Sequence, residues 1–216
     1  MQVRIDRDVL LKLSDPHKER NIYTHPLSLA RDIFWQRLEY AFKYLEKYTT
    51  KDYKVLDFGG GSGVFCKTLS SYYTDVSIID LDVEEAKNII SYYNIGNVTL
   101  INEDINTFEM DGQYDLIIAT DVLEHFLDLK QPVEFFNKFL KSGGILLVTL
   151  PTENWVYELG RKVVNKQKPD DHYHSSKHVI DFLKQNNFKE INKRFIPKYI
   201  FPIPLFEVAI FKYDNH

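Results

Sequence analysis

The stretch "VLDFGGGSG" joins an apolar run to an acidic residue and to a loop, residues 59–63, in which four of five residues are glycine. Such a loop lets the backbone closely approach a nucleotide phosphate, another cofactor or a packed part of the protein itself. The dinucleotide fingerprint G-x-G-x-x-G places Val64 or Cys66 at its third glycine, depending on the glycine that starts it. A P-loop needs a lysine and a hydroxyl after its last glycine, where this chain has Val64 and Phe65. The pattern therefore disfavours both phosphate-binding interpretations.

Acidic residues follow two further apolar runs. Asp80 ends "VSIID", about twenty residues after the glycines, and Asp104 follows "NVTLIN". A carboxylate at the first of these places can accept hydrogen bonds from both hydroxyls of a ribose, which favours a nucleoside cofactor without phosphates to bind. The second carboxylate is then placed to meet the base. The alternative is that each acid only ends its strand, but the combination with the glycines favours ligand binding.

The run "DVLEH" spaces Asp121, Glu124 and His125 at i, i+3 and i+4, which are neighbouring positions on one face of a helical turn. His125 is a candidate base for an acceptor hydroxyl, because imidazole titrates near neutral pH. Alternatively, the three side chains bind a divalent cation or only orient the turn. A later run, "DDHYHSSKH", contains a His-x-His pair, His172 and His174, that is also found in metal sites. These two runs are the candidates for acid–base or metal chemistry.

Alternating strands and helices must position these residues. Apolar residues recur at steps of three and four from Ser28 to Tyr48, which predicts an amphipathic helix. The strand candidates are "YKVLDF", "VSIID", "NVTLIN", "YDLIIAT" and "ILLVTL", with two closing strands near 188–195 and 205–213. The other helix candidates are "VFCKTLSSYY", "VEEAKNIISYY" with Asp82 as N-cap, "PVEFFNKFLKS" ending at Gly143 and Gly144, and "SSKHVIDFLKQNNF" with Ser175 as N-cap. This alternation predicts a mostly parallel sheet covered by helices on both faces.

The bulk composition is that of an ordinary globular chain of 216 residues, 44% hydrophobic and 27% charged. Its 27 Lys and Arg against 31 Asp and Glu, a net charge of −4, argue against a general nucleic-acid binder. The charged start "MQVRIDRDVL" does not resemble a signal peptide, and no apolar run reaches the length of a transmembrane helix. The single cysteine, Cys66, excludes an internal disulfide and a cysteine-rich metal site, so we expect a cytoplasmic protein.

Five motifs in chain order, "VLDFGGGSG", "VSIIDLD", "NEDINTF", "YDLIIATDVLEH" and "LKSGGILLVTLP", resemble those of the Rossmann-like (class I) S-adenosylmethionine-dependent methyltransferases. The resemblance covers about residues 50–213 and is to the small-molecule type, such as the ubiquinone-biosynthesis O-methyltransferases. It implies an α/β fold: a seven-stranded, mostly parallel sheet whose last strand is antiparallel, flanked by helices in a single domain, 1–216. Residues 1–50 are then an N-terminal helical cover and 51–150 the donor-binding core. Residues 151–216 supply an insertion after the fifth strand, which covers the active site, and the closing strands.

By this resemblance, each motif contributes to donor binding. The glycine motif is expected to face the methionine half, the second motif the ribose, the third motif the adenine, and the end of the fourth strand the body of the donor. The implied donor-binding residues are Asp57, Gly59, Gly60, Gly61, Gly63, Asp80, Leu81, Asp104, Ile105, Thr120 and Asp121. Two positions depart from the pattern. Gly60 replaces the usual Cys or Ala, which loosens the loop. Asp121 replaces a glutamate in the relatives that bind a cation there, and its side chain is one carbon shorter.

On the acceptor side, His125 is the expected base, and His172 or His174 is an expected acceptor contact, because in similar enzymes a histidine at the start of this helix lines the acceptor cleft. Aromatic residues in three covering segments favour an apolar or ring-shaped acceptor, although some must be ordinary core. These residues are Tyr23, Phe34, Trp35, Trp155, Tyr157, Phe195, Tyr199 and Phe201. A basic run, Arg161, Lys162, Lys166 and Lys168, is either a solvated face or a contact for an anionic or lipid-like acceptor.

The expected function is S-adenosylmethionine-dependent methyl transfer to a small-molecule acceptor, with oxygen as the expected acceptor atom. No N/D-P-P-Y/F motif follows the fourth strand, which counts against a nucleobase acceptor. One alternative is a donor-binding but inactive partner or sensor on the same scaffold. Another is a nicotinamide dehydrogenase, which Val64 disfavours.

Overall fold

The fold is seen in a computed structural model, which describes residues 2–16, 21–152, 172–197 and 204–214. Contacts between Cα atoms group the chain into two compact units, Met1–Met110 and Asp111–His216. None of the described helices combines the length and the apolar character that crossing a membrane requires. The expectation of a single domain over 1–216 stays a prediction.

The first unit begins with helices and continues as alternating parallel strands and helices. Its elements are α1 (Arg7–Leu13), a 3-10 turn (Ile22–Thr24), α2 (Ser28–Tyr48), β1 (Lys54–Phe58), α3 (Cys66–Tyr72), β2 (Asp75–Asp80), α4 (Glu84–Tyr93) and β3 (Val98–Asn102). α2 has the predicted bounds. Val55, Leu56 and Phe58 are at most 1% exposed, as expected of a strand covered on both faces. β2 pairs in parallel with both β1 and β3, so the carboxyl ends of the three strands lie at one edge.

The second unit holds the other four strands. Its elements are β4 (Tyr114–Thr120), a 3-10 turn (Leu123–His125), α5 (Lys130–Phe139), β5 (Leu140–Pro151), α6 (Ser176–Gln185), β6 (Phe188–Ile196) and β7 (Phe206–Tyr213). β5 is parallel to β4, and β7 runs antiparallel between β5 and β6. Ser175 caps α6 by accepting the His178 N–H at 3.3 Å, as predicted.

The seven strands form one sheet in the order β3-β2-β1-β4-β5-β7-β6. The prediction of a mostly parallel seven-stranded sheet with an antiparallel last strand is therefore confirmed. The predicted end of the helix "PVEFFNKFLKS" at Gly143 and Gly144 is wrong, because α5 ends at Phe139 and both glycines lie within β5. Leu140 is already extended, with φ −96°, and pairs with Tyr114, and a register shift follows between Tyr114 and Leu116. Strand pairing therefore starts before the glycines that suggested a helix end.

Several predicted acceptor-side residues lie outside the described residues. They are the aromatic residues Trp155, Tyr157, Tyr199 and Phe201 and the basic run Arg161, Lys162, Lys166 and Lys168. The insertion after the fifth strand also lies outside the described residues, apart from its first and last residues. These expectations stay predictions.

Candidate functional site

The glycine loop after β1 is held close to its neighbours by packing as well as by backbone conformation. Gly63 has φ +70°, and a Cβ there would lie 2.7 Å from the Cα and Cβ of Ala86 in α4. A Cβ at Gly60 would lie 2.5 Å from Cγ2 of Ile78 and 2.9 Å from Oδ2 of Asp57. Both distances are too short for a real side chain, so alanine fits at neither position without a shift. In this structure the missing side chain of Gly60 leaves room for the Ile78 and Asp57 side chains, which would have to shift if a Cβ were present.

Asp80 ties the loop to the end of β2. Its Oδ2 accepts the Gly61 N–H at 2.8 Å and its Oδ1 accepts the Asp82 N–H at 3.0 Å. Each carboxylate oxygen has two lone pairs, so both oxygens keep the capacity to accept another hydrogen bond. Asn102 donates from Nδ2 to the Asp80 and Leu81 carbonyls at 3.2 and 2.7 Å, and the Leu81 side chain is 73% exposed. The predicted ribose-binding acid is therefore fixed in place by backbone contacts.

Asp57 is a buried carboxyl group beside this loop. It is 1% exposed, and its Oδ1 has no hydrogen-bond partner within the part of the chain that the structure describes. Burial, with a smaller contribution from the negative charge of Asp80, raises the pKa of Asp57 to about 7. A buried carboxyl group with an oxygen that lacks a hydrogen-bond partner is costly in its ionised form. The site therefore favours a ligand that brings a positive charge to Asp57.

A buried arginine, which the sequence analysis did not single out, lies in the same unit. Arg37 is 5% exposed on the buried face of α2 and donates from Nη2 to the Tyr23 hydroxyl at 2.8 Å. Burial raises the pKa of Tyr23, Arg37 lowers it, and the nearby Asp57 raises it further. The three groups therefore share one electrostatic environment. The available signal was a charged residue within an apolar helical stripe, next to Leu38 and one turn after Ile33.

Further contacts join the N-terminal segment to the donor-side loop and to α3. Asn21 donates from Nδ2 to the Ser62 hydroxyl at 2.7 Å, and Val3 exchanges hydrogen bonds with the Thr68 hydroxyl.

Asp104 uses Oδ1 to accept the backbone and side-chain N–H groups of Asn106 at 2.8 and 2.7 Å. Its carboxylate thus already stabilises the turn after β3. Contacts of Asp104 and Ile105 with a base stay predictions.

In the second unit, the turn after β4 brings together a carboxylate and two imidazoles. Glu124 is 1% exposed, and its carbonyl accepts the Tyr173 N–H at 2.9 Å. The rings of His125 and His172 meet edge to face with centroids 4.6 Å apart. Potential ligand atoms of Glu124, His125 and His172 all lie within 4.8 Å of one another. This Glu–His–His cluster can hold a proton between its members or bind a metal ion.

Two expectations about this region need correction. Asp121 does not join Glu124 and His125 on one helical face, because it precedes a short 3-10 turn and has φ +51°. Its Oδ1 instead accepts the Thr149 hydroxyl at 2.9 Å. His172, which the sequence spacing did not connect with this turn, takes the third place in the cluster. Contacts of Thr120 and Asp121 with a donor stay predictions.

His174 has different neighbours from His172. Its ring stacks on His178 of α6 with centroids 4.9 Å apart, and His178 stacks in turn on Phe182. The His174 Nε2 atom is buried and has no hydrogen-bond partner among the described residues. Of the two predicted acceptor histidines, His172 is the one that contacts His125.

Comparisons with known proteins identify the family of this chain. A family model described as "Methyltransferase domain" matches residues 7–195. The chain is similar to malonyl-[acyl-carrier protein] O-methyltransferase 2 of Ilyobacter polytropus, 25% identical over 138 residues that cover 62% of this chain and 52% of that protein. It is also similar to the ubiquinone biosynthesis O-methyltransferase of Rickettsia bellii, 26% identical over 57% of this chain and 54% of the relative. The chain thus spans about half the length of these curated relatives.

Solved structures share the fold over almost the whole chain. The N-methyltransferase NodS of Bradyrhizobium japonicum WM9, in complex with S-adenosyl-L-homocysteine, has a TM-score of 0.71 at 16% identity, covering 97% of this chain and 98% of NodS. Magnesium protoporphyrin IX methyltransferase (ChlM) of Synechocystis PCC 6803, with the same product bound, has a TM-score of 0.69 at 16% identity, covering 96% and 94%. At these identities the likeness shows the fold alone.

Proposed function

The chain belongs to the methyltransferase domain family, and from this premise we propose that it transfers a methyl group from S-adenosylmethionine to an oxygen atom of a small-molecule acceptor. The observation that carries the proposal is Asp57, a buried carboxyl group beside the glycine loop whose Oδ1 has no partner among the described residues. The names of two relatives, O-methyltransferases for malonyl-[acyl-carrier protein] and for ubiquinone biosynthesis, support oxygen as the acceptor atom.

In this proposal, the charges of the first unit bind the charges of the donor. The methionine half carries a sulfonium and an ammonium, and Asp57 supplies the negative charge that stabilises them. The same half carries a carboxylate, for which Arg37 is the buried cation beside Tyr23. Asp80 accepts hydrogen bonds from the ribose hydroxyls, since both of its oxygens retain acceptor capacity. Leu81 and Ile105 supply apolar contacts for the adenine.

Methyl transfer then needs a nucleophilic acceptor oxygen in line with the methyl carbon. An oxygen lone pair forms the new C–O bond while the C–S bond breaks. The electron pair of the C–S bond stays on sulfur, which becomes a neutral thioether. A hydroxyl acceptor must also lose its proton, and His125 is the base that accepts it. Glu124 lies within the same cluster, so its carboxylate stabilises the imidazolium that forms.

A bound divalent cation is the second candidate for proton removal, and the Glu–His–His cluster favours it. One carboxylate and two imidazoles form a ligand set that zinc and similar ions accept, and their potential ligand atoms already lie within 4.8 Å. A bound ion would lower the pKa of an acceptor hydroxyl. In that case His125 is a ligand and another group takes the proton.

Donor binding and transfer test the proposal in two steps. Calorimetry should detect binding of S-adenosylmethionine and of its demethylated product, with NAD as the negative control. Transfer of a labelled methyl group into fractionated cell extract should label the polar-metabolite or lipid fraction. Binding without label in any fraction would support the inactive partner or sensor instead. Label only in nucleic acid, or only on protein side chains rather than on a group attached to an acyl-carrier protein, would contradict a small-molecule acceptor.

A further inference from the structure

The turn after β4 begins on a residue in an unfavourable backbone conformation. Asp121 has φ +51°, in the left-handed region that favours glycine. The other described non-glycine residues with positive φ are Asn94, the C-cap of α4, and Asn187, in the turn after α6. Asparagine at a helix end adopts this conformation routinely. Asp121 differs because it directly follows a strand, so its conformation needs a local cause.

Thr149 supplies two contacts that hold this conformation. The Asp121 N–H donates to the Thr149 carbonyl at 2.9 Å, and the Thr149 hydroxyl donates to Asp121 Oδ1 at 2.9 Å. Thr149 is fully buried in β5, where it pairs with Thr120 of β4 on one side and Val208 of β7 on the other. It is therefore a fixed point to which the turn is attached.

The direction in which the chain leaves Asp121 decides where the following side chains lie. His125 closes the 3-10 turn by donating its N–H to the Val122 carbonyl at 3.2 Å. The Glu124 carbonyl accepts the Tyr173 N–H, which joins this turn to the segment that carries His172. A rotation at Asp121 would therefore move Glu124 and His125 away from their contacts with that segment.

We propose that Thr149 is a positioning residue: it holds Asp121 in the left-handed conformation and thereby sets the placement of the Glu–His–His cluster. Asp121 serves the cluster through its backbone conformation and its bond to Thr149. The inference rests on the proposed function only for the chemical role of His125, and its structural content is tested without donor or acceptor.

Amide hydrogen exchange in the full-length protein tests the hydroxyl of Thr149. Thr149→Val should speed exchange at the Asp121 and Tyr173 amides about fivefold, the equivalent of one lost hydrogen bond, whereas Thr149→Ser should restore protection to within about twofold. Thr152→Val is the matched control, because it removes a 2.7 Å hydrogen bond to the Pro204 carbonyl just beyond the same strand. It should leave both amides unchanged. Equal exchange in all three variants, or loss of protection throughout β5 in Thr149→Val, would overturn the assignment.

Substitutions of Asp121 separate its backbone role from its side-chain role. Asn tolerates the left-handed region and keeps an acceptor, Gly tolerates it without an acceptor, and Ala does neither. Exchange at Tyr173 should therefore rise in the order Asn, Gly, Ala, by about twofold, fivefold and thirtyfold. Thr149→Val added to Asp121→Gly should have no further effect, because its partner is already gone. Additive effects, or Ala no worse than Gly, would contradict the proposal. Binding of S-adenosyl-L-homocysteine, the demethylated product of the donor, measured by calorimetry on the same samples tests the proposed function separately.

Discussion

Two buried acids, one in each unit, differ in the groups that surround them. Asp57 and Glu124 are both 1% exposed. Burial, with a smaller contribution from the negative charge of Asp80, raises the pKa of Asp57 to about 7. Glu124 lies within a cluster that contains the imidazoles of His125 and His172. Asp57 is therefore suited to a positive charge that arrives with a ligand, while Glu124 already has groups that can carry a proton or share a metal ion.

Burial of a carboxylate therefore does not by itself identify its function. A buried carboxylate with an oxygen that lacks a hydrogen-bond partner destabilises the free protein in its charged form, and binding energy can offset that cost. A carboxylate beside histidines does not need the ligand's charge, and it acts on the proton of the acceptor instead. Changes at the two places should thus affect different measured quantities: donor affinity at Asp57 and Asp80, and turnover at His125.

The largest effect is expected at His125. His125→Ala should lower turnover by about 100-fold or more while donor affinity stays nearly unchanged, because the base acts only in the transfer step. Turnover by labelled-methyl transfer and affinity by calorimetry measure the two quantities. If a chelator abolishes activity and added zinc or magnesium restores it, the cation interpretation replaces the base. Normal turnover in the variant would leave His125 a structural role only.

A comparable effect, on donor affinity instead of turnover, is expected at the end of β2. Asp80→Ala should weaken donor binding by roughly 30- to 150-fold, or about 2–3 kcal/mol, since two ribose hydroxyls lose a charged acceptor. Asp75→Ala is the matched control, because Asp75 is an exposed acid at the opposite end of the same strand. Calorimetry in which both variants bind the donor equally well would remove Asp80 from the site.

The pH dependence of donor binding tests Asp57. With a pKa of about 7, Asp57 loses its charge as pH falls, so affinity should drop by about five- to tenfold between pH 7 and pH 6. Asp57→Asn should bind weakly and lack this dependence. A flat profile in the wild-type protein would separate Asp57 from the cationic half of the donor.

Stability of the ligand-free protein should respond in the opposite direction. The folded pKa of Asp57 lies above its unfolded value of 3.8, so its protonated form contributes stability that is complete below pH 3.8 and is lost as pH rises to about 7. Asp57→Asn removes this loss. Relative to the wild-type protein, the variant should therefore gain thermal stability between pH 5 and pH 8, which calorimetric unfolding would measure.

The donor-side half could be predicted from the sequence because its contacts are made by the motifs themselves. The glycine loop and Asp80 each follow a strand, and neighbouring parallel strands bring their ends to one edge, as the bond from Gly61 to Asp80 shows. Arg37 was not singled out, because a charge on an apolar helical stripe has no motif. The alternation of strands and helices predicted a mostly parallel sheet, and the family resemblance implied its antiparallel last strand. Neither predicted where α5 gives way to β5.

The cluster in the second unit could not be predicted from spacing. Its contacts join residues far apart in the chain: His125 meets His172, and Asp121 meets Thr149. A helical turn was assumed for "DVLEH", whereas the left-handed conformation of Asp121 redirects the chain into a 3-10 turn. Positive φ at an aspartate leaves no mark in the sequence, so the grouping of side chains required the structure.

The last prediction distinguishes the two histidines that the sequence treats alike. The rings of His172 and His125 have centroids 4.6 Å apart, whereas His174 stacks on His178 at the start of α6. If the cluster handles the acceptor proton, His172→Ala should lower turnover by about tenfold, because the second imidazole can no longer share the proton or the ion. His174→Ala should lower it by no more than about threefold, since only helix packing changes. Both variants should keep donor affinity. Equal losses would mean that the edge-to-face contact with His125 has no bearing on transfer, and that the segment from His172 to Ser175 acts only by supporting α6. A tenfold loss confined to His172 would instead extend the contrast between the two acids, since Glu124 would then act through both of its histidines.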